Sequence, residues 1–118
     1  PAIAAGVAEA IDIADREPWR REKWLENAHY FRREVEALGF DTLGSEVHIV
    51  PILIGDELAA GEVTKLLRHR GIVAPHARYP AVALGRARIR FVMTCQHERQ
   101  QIDYLLACLA EVKKLMQL

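Results

Sequence analysis

Gly71-Ile-Val-Ala-Pro-His-Ala-Arg-Tyr-Pro-Ala-Val-Ala-Leu-Gly-Arg-Ala-Arg-Ile-Arg-Phe-Val-Met-Thr-Cys-Gln-His-Glu98 is the stretch on which the reading of this chain turns. It opens on a short apolar run, Ile72 to Ala74, which reads as a brief strand. A loop follows that Pro75 and Pro80 keep out of a helix, and a second strand runs from about Arg88 to Met93. Successive strand side chains point to opposite faces, so Ile89, Phe91 and Met93 share one face and Arg88, Arg90 and Val92 the other. Burying the apolar set aims Arg90 across the sheet. A loop rich in proline and glycine ahead of such a strand is a common place for a ligand site.

Downstream, Ile102, Leu105, Leu109, Val112 and Met116 recur in threes and fours, one stripe of a final helix. Upstream, Asp56 is a good N-cap for a helix with Leu58, Val63, Leu66 and Leu67 on its buried face and Gly71 as its stop. Val47 to Ile54 is β-branched and apolar enough for a largely buried strand. Pro51 cannot donate a ladder hydrogen bond, so that strand should have a free edge. Before it, Trp24, Ala28, Phe31, Val35 and Leu38 form the stripe of a helix that starts near Pro18 and stops at Gly39. Ile3, Val7 and Ile11 mark another helix from Ala2 to about Asp15. The expected fold is α+β: a small, mainly antiparallel three-stranded sheet with helices on one face, preceded by a long N-terminal helix or helix pair.

A chain of 118 residues makes one domain with a modest core. Sixteen basic and sixteen acidic side chains cancel, which gives no argument for nucleic acid or for a membrane surface. No apolar run approaches the roughly 18 to 20 residues of a membrane span. Cys95 and Cys108 form no disulfide framework, and a reduced, cytoplasmic setting is the simplest expectation. The first residues carry no initiator Met and no signal-peptide pattern, so the chain reads as cut from something longer.

The residues alone offer little chemistry. There is no glycine-rich phosphate loop, zinc pattern, carboxylate pair or Ser-His-Asp order. His48 has no companion at ligand spacing and reads as structural; no metal is expected. His97 reads as helix-start packing, and Cys95 lacks a companion base. Arg20, Arg21, Lys23, Arg32 and Arg33 read as a solvated face beside Glu22, Glu26, Glu34 and Glu36, with an anion site as the alternative. Arg86, Arg88 and Arg90 share strand parity, and a guanidinium fork suits a carboxylate or phosphate; surface ion pairing is the competing account.

Pro51 to Asp56, Arg70 to Val73, Tyr79-Pro-Ala-Val82, Gly85-Arg-Ala-Arg-Ile-Arg90 and Thr94-x-x-His97, in that order and spacing, resemble the C-terminal domain of the α-oxoamine synthases. These are fold-type I, class II aminotransferase-like pyridoxal phosphate (PLP) enzymes that include the 8-amino-7-oxononanoate synthases and 2-amino-3-ketobutyrate CoA ligases. The likeness runs along essentially the whole chain. It implies a C-terminal piece of a homodimeric acyltransferase that condenses an amino acid of glycine or alanine type with an acyl-CoA. Residues 1–38 would be connecting helices and residues 45–118 the α/β core, docked on the enzyme's own large PLP-binding domain. The family's carboxylate-binding arginine matches Arg90, and the loop that borders its substrate pocket matches Tyr79, Pro80 and Ala81.

Two departures stand out: the family often reads Pro-Thr-Val-Pro where this chain has Pro80-Ala-Val-Ala83. In the 5-aminolevulinate synthases that threonine helps to hold the acyl group, so Ala81 speaks against their substrate. The resemblance places the Schiff-base lysine and the phosphate cradle on the large domain. Lys23, Lys65, Lys113 and Lys114 do not match that lysine. The chain alone is thus expected to carry no catalytic residue, to bind no PLP and to be inactive. Two rivals remain: a sensing or protein-interaction module, and, more weakly, a single-strand RNA binder, which would want stacking aromatics in mid-sheet.

Overall fold

A computed structural model of the chain describes residues 1–118. Alternation in β3 (Ala87–Val92) sets the architecture: Ala87, Ile89 and Phe91 are buried, and Met93 just beyond continues the same face. β3 is the central strand of a three-stranded antiparallel sheet in the order β1-β3-β2, with β1 at Ile49–Gly55 and β2 at His76–Ala77. Pro51 faces Arg90 across the β1–β3 ladder. Its strand lies at the sheet edge, where a residue without an N–H is tolerated.

Helices cover the face that carries Ile89. α2 (Trp19–Ala37) contributes Ala28, Phe31 and Val35, α3 (Glu57–His69) contributes Ala60, Val63 and Leu67, and α4 (Arg99–Met116) contributes Ile102, Leu105, Leu109 and Val112 to one core of 19 residues. Phe31 meets Phe91 edge-on, with ring centroids 5.3 Å apart. The opposite face is uncovered: Ile49, Pro51 and Leu53 are half-buried, and Arg90 and Val92 are exposed. α1 (Ala2–Arg16) buries no residue and carries exposed Ile3, Val7 and Ile11. The break at Glu17-Pro18 separates it from α2, and the Arg21 guanidinium donates to the Ala14 carbonyl across the break, at 2.5 Å.

The expected helix signals hold. Gly39 ends α2 with a φ of +93°, and a Cβ there would lie 2.5 Å from Lys113 Nζ. That ammonium donates to the Leu38 carbonyl at the helix end and sits 4.8 Å over the Phe40 ring, so α4 helps to cap α2. The Asp56 carboxylate accepts the Ala59 N–H at 2.8 Å. Asp56→Ala should therefore cost about 1 kcal/mol in a denaturant melt, and Asp56→Asn much less.

Two expectations fail. Leu58 is 82% exposed, because Ala60, Val63 and Leu67 define the buried stripe of α3, and five residues back from Val63 lies roughly 140° around the helix. Ile72 to Ala74 form no strand: the Ile72 N–H is spent on the Leu67 carbonyl, wrapping the end of α3. Pairing with β3 starts only at Pro75, whose carbonyl accepts the Arg90 N–H at 2.9 Å.

α3 and α4 are stapled at Arg70, which donates to Glu111 at 2.7 Å, while the Tyr104 hydroxyl donates to the Arg70 carbonyl at 2.8 Å. The hydrogen bond from Arg70, and then its charge, hold the Glu111 carboxyl below the ordinary value of 4.5. A folded-state pKa below the unfolded one stabilises above the unfolded value, and that contribution is lost as pH falls through the lowered one. Glu111→Gln should accordingly flatten the acid limb of a stability–pH profile and leave its alkaline limb in place.

Candidate functional site

The loop between β2 and β3 begins at Arg78, where strand pairing has run out. The Tyr79–Pro80 peptide is cis, and the Tyr79 N–H donates to Glu57 Oε1 at 3.2 Å, which ties the loop to the start of α3. Beneath it lies a hollow of about 410 Å³ whose wall runs from Pro75 to Ala81 and is completed by Arg90 from the centre of the sheet. Tyr79, Pro80, Ala81 and Arg90 therefore meet in one place, although the loop and the arginine are separated in sequence by the whole of the turn through Gly85.

The three arginines of the strand region have different fates. Arg88 donates from Nε to the Arg86 carbonyl at 3.2 Å, and Arg86 is exposed away from the hollow. Arg90 alone lines it. None of the three belongs to any of the five ion pairs of the structure, so surface ion pairing does not explain them. An exposed guanidinium with no counter-ion, rooted on a paired strand, is a ready fork for a carboxylate.

The sequence reading passed over two further wall residues, Arg78 and His76. His76 Nδ1 lies 3.3 Å from Thr64 Oγ1, which fixes its ring against α3. The available signal was the adjacency of Arg78 to Tyr79. A second hollow, of about 600 Å³ and mostly apolar, runs between Ile72–Pro75 and the start of α4; Arg90 and Pro75 border both.

Other candidates resolve as structure. His48 packs edge-on against Trp24, with centroids 5.1 Å apart. His97 Nδ1 accepts the Thr94 N–H at 3.0 Å at the entrance to α4. Arg20 spans from the Trp19 ring to Cys95 Sγ, 3.9 Å from its guanidinium, and is paired with Glu17, while Lys65 is paired with Glu62. No group of three or more His, Cys, Asp or Glu side chains is placed to hold a metal ion. No helix is long and apolar enough to cross a membrane.

The family model for aminotransferase class I and II matches residues 1–109. The chain belongs to that family. Within the aminotransferase class I and II enzymes it is an α-oxoamine synthase-like domain. It is 41% identical over 118 residues to 8-amino-7-oxononanoate synthase 1 of Bacillus velezensis, covering 100% of this chain and 30% of the relative. To the 8-amino-7-oxononanoate synthase/2-amino-3-ketobutyrate coenzyme A ligase of Thermus thermophilus it is 38% identical over 114 residues, covering 97% of this chain and 29% of the relative. Among solved structures, serine palmitoyltransferase from S. paucimobilis with bound PLP–myriocin superposes with a TM-score of 0.75 at 25% identity, over 82% of this chain and 25% of that one. The chain thus spans under a third of the length of the aminotransferase class I and II relatives that it matches.

Proposed function

We propose that this chain is the C-terminal domain of a PLP-dependent acyltransferase that condenses an amino acid of glycine or alanine type with an acyl-CoA. The observation that carries the reading is Arg90: an unpaired guanidinium that shares a hollow with Tyr79, Pro80 and Ala81. Residues 1–38 then connect to a large PLP-binding domain, and the uncovered sheet face with Arg90 turns toward it in a cytoplasmic homodimer.

The role of the chain is to position the substrate. A two-pronged grip on the amino-acid carboxylate fixes the direction of the bonds at Cα, and such orientation can supply several kcal/mol of a barrier. The Tyr79–Ala81 loop closes one side of the same hollow and limits which side chain fits beside the carboxylate. When bound, PLP supplies an electron sink at the amino acid's Cα. The residues here do not fit its covalent attachment: no lysine lines either hollow, and Lys65 and Lys113 are already engaged by Glu62 and the Leu38 carbonyl. That attachment belongs to the large domain.

The complete enzyme, given glycine or alanine and a series of acyl-CoA thioesters, should release free thiol only when both substrates are present. Thiol release independent of the amino acid overturns the reading. This chain alone, mixed with PLP, reduced with borohydride and weighed, should carry no stoichiometric adduct; a one-to-one adduct would place the cofactor's lysine here.

A further inference from the structure

The two ends of the loop from Arg78 to Arg86 are held differently. Its returning end runs into the sheet: Ala87 is fully buried and pairs with Gly55, and the Gly85 carbonyl oxygen lies 3.5 Å from where a Cβ on Gly55 would stand. Its outgoing end leaves β2, a strand of only two residues. Inside the loop the Val82 N–H donates to the Arg78 carbonyl at 3.3 Å and the Arg86 N–H to the Ala83 carbonyl at 3.1 Å, bonds that shape the loop without attaching it. Packing does not attach it either, since Val82 is half-buried and every other residue from 78 to 86 is exposed. One hydrogen bond joins Tyr79–Ala81 to another element, from the Tyr79 N–H to Glu57 Oε1 at 3.2 Å.

Glu57 is well placed for that bond. It is the first residue of α3, beside the Asp56 cap, where the free N–H groups of a first helical turn favour a carboxylate. Three residues on, Ala60 is fully buried, which fixes the root of the side chain against the core. Glu57 takes part in none of the five ion pairs, and the Tyr79 N–H is its one side-chain hydrogen-bond partner. The two sides of the hollow therefore stand on separate supports. Arg90 is rooted on a strand paired at both edges, while Tyr79, Pro80 and Ala81 hang from a single carboxylate on α3.

From this arrangement we infer that Glu57 is a positioning residue for the amino-acid site: its carboxylate sets how far the Tyr79–Ala81 wall stands from Arg90, and so which amino-acid side chains fit between them. The inference rests on Arg90 holding the amino-acid carboxylate. A wall that is free to retreat still leaves the carboxylate gripped, but it no longer excludes a larger side chain. Close walls separate substrates that differ by one methylene by about 10- to 200-fold, and that discrimination is what a loosened loop gives up.

The complete enzyme tests this with alanine and 2-aminobutyrate, which differ by one methylene, each paired with the same acyl-CoA. The native enzyme should favour alanine in kcat/KM. Glu57→Ala should reduce that preference at least about threefold, through a lowered KM for 2-aminobutyrate relative to that for alanine. Glu57→Gln keeps an oxygen acceptor at the same reach and should keep most of the preference, whereas Glu57→Asp, one methylene short, should behave like Glu57→Ala. A preference unchanged in Glu57→Ala overturns the proposal. So does an equal loss for both amino acids accompanied by a lowered urea midpoint, which would make Glu57 a support of the fold alone.

An enzyme that turns over neither amino acid overturns the acyltransferase reading instead, and a direct measurement then decides the role of Glu57. In this chain, solvent exchange of the Tyr79 amide proton, followed by NMR, should be about tenfold faster in Glu57→Ala than in the native sequence, with Glu57→Gln between them and the β3 amides unchanged. A Tyr79 exchange rate that is the same in Glu57→Ala shows that the carboxylate does not hold the loop, and the proposal falls.

Discussion

Arg90→Ala in the complete enzyme should lower kcat/KM for glycine or alanine by ~30- to 1000-fold, about 2–4 kcal/mol of transition-state stabilisation. Much of the loss should appear as a raised amino-acid KM. The remainder should fall on kcat, because a carboxylate that is no longer gripped lets the Cα bonds rotate out of alignment. Arg90 is poised for this effect by its surroundings. Its backbone is paired on one side to Pro51 and on the other to the Pro75 carbonyl, so the root of the side chain is fixed while its tip is free of any internal partner. Arg90→Lys should recover only a fraction, since a single ammonium cannot reproduce a planar fork. Arg86→Ala, just before the start of β3 and outside the hollow, is the control, with kinetics close to native. Native kinetics in Arg90→Ala itself would remove Arg90 from the site.

The largest effect on stability should come from Phe31→Ala, at about 3–5 kcal/mol. Phe31 is fully buried, is among the largest such side chains in the protein, and forms the aromatic contact that fastens α2 onto β3. A domain of this size has a total stability of about 5–15 kcal/mol, so the loss takes a large share of it. A urea melt of Phe31→Ala should show a sharply lowered midpoint, with part of the chain unfolded even without denaturant if native stability lies at the lower end. Leu58→Ala, at an 82% exposed position on α3, should change the unfolding free energy by no more than about 0.5 kcal/mol. Equal effects at the two positions would contradict the core described above.

Periodicity carried most of the fold. The stripes of α2 and α4, the alternation in β3, the Asp56 cap and the Gly39 stop are each set by a few neighbouring residues, and each was legible as such. Leu58 misled because hydrophobicity alone does not fix the phase of a short stripe; the small Ala60, which lets α3 approach the sheet, does. Ile72 to Ala74 misled because strand propensity says nothing about where a backbone N–H is already spent, and here the end of α3 claims it. The site was legible only in part. Arg90 could be singled out by parity, and the Tyr79–Ala81 loop by resemblance, but their meeting in one hollow depends on the return of the chain through Gly85. Arg78 carried no periodic signal, and only the shape of that return makes it a wall residue.

α2 also reaches past its aromatic contact. The Asn27 side-chain amide, almost completely buried, donates to the carbonyls of Thr94 and His97 at 2.8 and 2.9 Å, directly after the strand that bears Arg90. α2 is thus fastened both to β3, through Phe31 and Phe91, and to the segment that leaves it, so the root of the Arg90 side chain is held in place from beyond both ends of its own strand pairing.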